Sequence, residues 1–124
     1  MSKKRILIID DEPELVKAIT VRFKASGYEV ISADDGQQGL DKAEEIKPDL
    51  ILLDIIMPKK DGYEVCKNLK SKPKTKDIPI LILTAAGQQG LKKRCMEAGA
   101  DEVIKKPFET TELLELVNKF LQGG

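Results

Sequence analysis

Short apolar runs recur along this chain, and each is followed by a segment whose apolar residues return at helical spacing. The runs lie at residues 5–9, 28–33, 50–53, 78–83 and 103–104. After the first, Leu15, Val16, Ile19 and Phe23 mark one helix face. Pro13 suits a first helical turn, with Glu12 and Glu14 at its positive end, and Ser26-Gly27 stops it. Further helices are predicted over 36–46, 63–69, 91–98 and 112–121, the last carrying Leu113, Leu116, Val117 and Phe120. Strands this apolar, with little alternation, are covered on both faces. Strand and helix alternating five times predict an α/β domain, with a parallel sheet between two helical layers.

A chain of 124 residues suits one domain, residues 1–124, and buries roughly two thirds of its unfolded surface. Lys plus Arg equals Asp plus Glu, 21 against 21, so no bulk charge draws the chain to nucleic acid or membrane. Function must come from local charge. The sequence has no His, which removes Ser-His and Cys-His nucleophile pairs and His-containing zinc sites. Cys66 and Cys95 form no CxxC pair and read as reduced, buried thiols. The amino end shows no secretory pattern and no apolar run is long enough to span a bilayer, so a cytoplasmic protein is expected.

In open parallel sheets, ligands bind beyond the carboxyl ends of the strands. Those ends carry Asp10 and Asp11, then Asp54, Thr84 and Lys106. Asp34 and Asp35, after the second strand, read as helix-start residues. Taken singly, each rim residue has a plainer role: Asp10-Asp11 can cap the first helix, Asp54 can be a solvated loop residue, and Lys105-Lys106 a surface pair. Their joint placement points elsewhere. Several carboxylates in one pocket do not ionise cheaply without a cation, and a hard divalent ion prefers oxygen ligands. Mg²⁺ fits, with Mn²⁺ as a substitute. Lys106 and Thr84 add a cation and a hydroxyl suited to a phosphoryl group, and a carboxylate beside them can act as the nucleophile.

The segments ILIIDDE, DLILLDIIMPKKDG, ILILTAA and EAGADEVIKKPF, with the separations from Asp54 to Thr84 and from Thr84 to Lys106, carry a resemblance that covers essentially the whole chain. The chain resembles the receiver domain of two-component response regulators, of the chemotaxis-regulator type. The resemblance implies a flavodoxin-like (βα)5 three-layer sandwich with strand order 2-1-3-4-5. It implies Asp54 as phosphoacceptor, with Asp10, Asp11, Asp54 and the backbone carbonyl of Ile56 holding Mg²⁺. Lys106, placed by a cis peptide to Pro107, would pair with a phosphoryl oxygen, and Thr84 would swing toward it.

The implied partners are a sensor histidine kinase or phosphotransfer protein, docking on the first helix, and a downstream target protein or effector domain. The fourth helix, fifth strand and fifth helix form the implied output face and a phosphorylation-dependent dimer contact. The implied role is signalling: the chain catalyses only its own phosphorylation and dephosphorylation.

Five positions depart from many receivers. Val103 stands where an aromatic switch residue is common, and Lys59 and Lys60 are more basic than usual. Ile56 and Ala86, at the variable rim positions, offer no polar side chain to orient an attacking water. A long-lived aspartyl phosphate is therefore expected, and Ile56→Asn or Ala86→Glu should shorten its lifetime in a hydrolysis time course. An unchanged or longer lifetime in both variants would count against this.

Two other classes share features of this reading. Flavodoxin-like sheets also bind flavins, nucleotides or other small ligands. Against this, neither GxGxxG nor GxxxxGK[ST] occurs, and no Trp is available for stacking. A metal-dependent phosphatase with an Asp nucleophile is the other class, but Ile55 and Ile56 follow Asp54, so the paired DxD arrangement is missing.

Overall fold

The structure, a computed structural model, describes residues 3–55, 61–85 and 90–122. Its elements alternate as β1 (Arg5–Ile9), α1 (Pro13–Ala25), β2 (Glu29–Ala33), α2 (Gly36–Ile46), β3 (Leu50–Asp54), α3 (Gly62–Ser71), β4 (Ile80–Thr84), α4 (Leu91–Glu97), β5 (Glu102–Lys105) and α5 (Thr110–Leu121). The strands form one parallel sheet in the order β2-β1-β3-β4-β5. Chain direction across the sheet reverses between β1 and β3, the switch point at which such sheets open a crevice.

Side chains alternate across each strand and so feed two separate cores. Leu7, Ile9, Ile51, Leu53, Ile80 and Ile82 pack under α2, α3 and α4, with Leu40, Ala43, Cys66, Leu69, Leu91 and Cys95. Ile6, Ile8, Leu50, Leu52, Leu81 and Leu83 pack under α1 and α5, with Ile19, Phe23, Leu113 and Val117. The three-layer α/β/α sandwich follows from that split.

Element ends differ from the sequence expectation by a few residues, each for a local reason. The strand expected from residue 78 begins at Ile80, because the Ile78 N–H closes a turn onto the Thr75 carbonyl. The strand expected from Tyr28 begins at Glu29, because the Tyr28 N–H bonds back to the Phe23 carbonyl of α1. The last helix starts at Thr110, two residues early, where Glu109 and Glu112 form a reciprocal capping box. The third helix starts at Gly62, with the Asp61 carboxylate accepting from the Tyr63 N–H at 2.7 Å. Gly62 has a packing reason as well: a Cβ there would meet Ile55 Cα at 2.6 Å and the Asp54 carbonyl oxygen at 2.7 Å.

Candidate functional site

Register brings the rim residues together. Ile9 pairs with Leu53, so Asp10 and Asp54 follow side by side across the switch point. Thr84 pairs with Lys105, and the Lys106 N–H continues that ladder onto the Thr84 carbonyl at 2.8 Å. The Asp10 N–H likewise extends the β1–β2 ladder onto the Ala33 carbonyl at 3.1 Å. Alternation assigns Asp10, Asp54 and Lys106 to the side of Ile8, Leu52 and Ile104, which is the α1/α5 side. It assigns buried Thr84 to the side of Ile82, toward α4.

The Lys106 ammonium lies among three carboxylates. It donates to Asp10 Oδ2 at 3.3 Å and to Glu12 Oε1, and stands 3.6 Å from Asp54 Oδ2. One oxygen from each of Asp10, Glu12 and Asp54 lies within 4.8 Å of the others. Asp10 Oδ1 also accepts the Glu12 N–H at 2.9 Å. The peptide between Lys106 and Pro107 is cis, as expected from the resemblance.

These contacts set the charges. Burial pushes the Asp10 carboxyl above its ordinary range, against the pull of the Glu12 N–H and the Lys106 ammonium. Burial pulls the Lys106 ammonium down, but the Glu12, Asp10 and Asp54 carboxylates outweigh it and the net shift is upward. The two buried carboxylates, Asp10 and Asp54, with a third at the exposed edge, leave an excess of negative charge on oxygen donors that fits a hard divalent cation.

Sequence reasoning named Asp10, Asp54 and Lys106, and the structure brings them together. Asp11 is exposed and stands outside the group of three carboxylates. Ile56, Lys59, Lys60 and Ala86 lie outside the described residues. Asp35 caps α2, accepting the Gln38 N–H at 2.9 Å, as its helix-start reading requires. The sequence offers Glu12 only as a helix-end charge. It lies beyond the strand end that marks the rim, so only the reach of its side chain brings it to Lys106.

A model of the response regulator receiver domain matches residues 6–118. The chain belongs to that family. It is 42% identical over 118 residues to the DNA-binding dual master transcriptional regulator RpaA of Synechocystis sp., covering 95% of this chain and 49% of that protein. It is 44% identical over 119 residues to the alkaline phosphatase synthesis transcriptional regulatory protein PhoP of Bacillus subtilis, covering 96% and 49%. The receiver thus spans about half the length of the curated relatives it matches. Among solved structures, the receiver domain of sensor histidine kinase PA1611 from Pseudomonas aeruginosa superposes with a TM-score of 0.89 at 30% identity, covering 98% of this chain and 99% of that one. That structure has a magnesium ion coordinated in its active-site cleft. This chain is accordingly a signalling receiver domain of the two-component type, with the five-stranded order that its resemblance implied. Among the described residues, no helix is long and apolar enough to cross a membrane.

Proposed function

We propose that residues 1–124 form a single receiver domain that accepts a phosphoryl group on Asp54 from a phosphohistidine of a sensor histidine kinase or phosphotransfer protein. The observation that carries this reading is the Asp54 carboxylate, buried at the end of β3 beside the switch point, with Lys106 Nζ 3.6 Å away and Asp10 alongside. A carboxylate oxygen of Asp54 forms the new P–O bond as the P–N bond to the imidazole breaks, and the imidazole leaves with the bonding pair. Lys106 offsets charge on the phosphoryl oxygens, and the Thr84 hydroxyl at the end of β4 turns to meet them. Asp10, Asp11 and Asp54, with the Ile56 carbonyl, would hold Mg²⁺, or Mn²⁺ in its place. The ion supplies charge neutralisation on the transferring group.

The chain catalyses this modification and its reversal on itself and turns over no separate substrate. The added charge, roughly −1.5 to −2, shifts the population of conformers presented to a downstream target protein or effector domain. The α4, β5 and α5 face is the output surface and the contact of a phosphorylation-dependent dimer. The setting is the cytoplasm, in keeping with the balanced charge and reduced thiols.

Intact mass after incubation with acetyl phosphate tests the reading. One phosphoryl adduct is expected with Mg²⁺, and none with EDTA or in Asp54→Asn. Absence of the adduct in folded wild-type protein with Mg²⁺ would sink it.

A further inference from the structure

We propose that Glu12 is a positioning residue: it holds the Lys106 ammonium at the mouth of the pocket and away from Asp54. The proposal rests on the reading of Asp54 as the phosphoacceptor. An ammonium has three N–H groups to place. Lys106 gives hydrogen bonds to Glu12 Oε1 and to Asp10 Oδ2. Asp54 Oδ2, at 3.6 Å, is an ion-pair partner beyond hydrogen-bonding reach. Side-chain exposure is 55% for Glu12, against 1% for Asp10 and 7% for Asp54. Lys106 is therefore held between the exposed Glu12 carboxylate at the mouth and the buried Asp10 carboxylate within.

Helix capping gives a second, independent observation. Glu12 is the N-cap residue of α1, yet its side chain caps no backbone N–H of that helix. The N-cap residues Asp35 and Asp61 both spend their carboxylates on the helices they start. Glu12 gives its carboxylate to Lys106 instead. Its backbone is pinned from both sides, the N–H by Asp10 Oδ1 at 2.9 Å and the carbonyl by the Val16 N–H at 3.0 Å. Movement of Lys106 is thus left to two side chains and needs no change in the backbone at Glu12.

Two effects follow if this acceptor is removed. Lys106 settles onto Asp10 and Asp54, where it competes with a divalent cation for the same oxygens. Once the cation is saturating, the ammonium also stands nearer to the oxygens of the incoming phosphoryl group. Loss of Glu12 should therefore weaken cation binding and raise the maximal rate of transfer. A residue that merely supports the fold would not separate the two in opposite directions.

The test compares wild type, Glu12→Gln and, as a control for removing a nearby charge, Glu14→Gln in the exposed first turn of α1. Mg²⁺ affinity is read from the rise of Tm with MgCl₂ concentration. The rate of adduct formation with acetyl phosphate is read by intact mass at saturating Mg²⁺. Glu12→Gln should lower the affinity and raise the rate, each on the order of threefold, the factor an exposed ion pair corresponds to. Glu14→Gln should track wild type. An adduct whose rate is unchanged or lower in Glu12→Gln, or an unchanged Mg²⁺ affinity, would overturn the role of Glu12. Absence of any adduct in the wild type would instead overturn the reading of Asp54, and with it the consequence drawn for transfer.

Discussion

Burial and the neighbouring Glu12 carboxylate act on Asp10 in the same direction, both favouring its protonated form, and the Glu12 N–H and the Lys106 ammonium only partly oppose them. The folded pKa lies above the unfolded one. The stabilisation linked to this group is therefore complete below the unfolded value, about 3.8, and is lost as pH rises through the folded value. At neutral pH the ionised carboxylate works against folding. Asp10→Asn keeps an acceptor for the Glu12 N–H and removes the charge. It is expected to raise Tm at pH 7 in EDTA and to lose most of the Tm gain that Mg²⁺ gives the wild type. A lower Tm in EDTA would show that the ion pair with Lys106 outweighs desolvation. The same reasoning explains why adjacent carboxylates persist after the apolar run of β1: the site trades stability of the empty fold for affinity toward a cation.

At the scale of elements, α4 is the short helix whose attachment is most open to test. It reaches the sheet through Leu91 and Cys95, and Val103 of β5 packs into the same core as a small aliphatic contact. Its other tie is to α3. The Arg94 guanidinium lies over the Tyr63 ring, 3.8 Å from the centroid. Tyr63 follows Gly62, which is packed on the backbone of Ile55 and Asp54. The helix after Thr84 is thereby stapled to the helix that starts under Asp54. A cation–π contact at an exposed site contributes about 0.5–1 kcal/mol. Arg94→Ala should lower stability by about that amount, and a thiol reagent should label buried Cys95 on α4 faster while Cys66 on α3 keeps its wild-type rate. Equal rates for Cys95 in the two proteins would show that the core contacts alone hold α4. Nothing in the sequence pattern announces this staple, because Tyr63 and Arg94 each read as ordinary helix residues and their pairing depends on how two helices pack. The helices themselves were legible, since their apolar periodicity is local. Their ends were less so, because the Ile78 and Tyr28 N–H groups are claimed by turns that only the fold assembles.

For the whole molecule, the alternating order of apolar runs and helical segments determined the three-layer sandwich. The strand-end rule suffices to locate Asp10, Asp54 and Lys106 on one rim. What the chain order could not carry was which carboxylate holds Lys106, since that depends on side-chain reach across the rim. The molecule's response to alkali begins in its two cores, while the rim joins at higher pH, since the raised Lys106 ammonium gives up its stabilisation only above its ordinary 10.5. Burial pushes the Cys66 thiol up from 9.0 to about 11, and burial also raises Cys95, Tyr63 and Tyr28. All four are neutral acids that the fold keeps protonated. With a folded pKa above the unfolded one, the stabilisation is whole below the unfolded value and is lost as pH climbs through the folded value. For Cys66 the loss begins near 9 and is complete near 11. The urea midpoint should therefore be flat near neutral pH and fall steeply across that window. Cys66→Ala should start lower, by about 1 kcal/mol for the lost packing, and fall less steeply over the same range. A variant whose midpoint drops in parallel with the wild type would show that the buried tyrosines, Cys95 and Lys106, not Cys66, govern the alkaline limb.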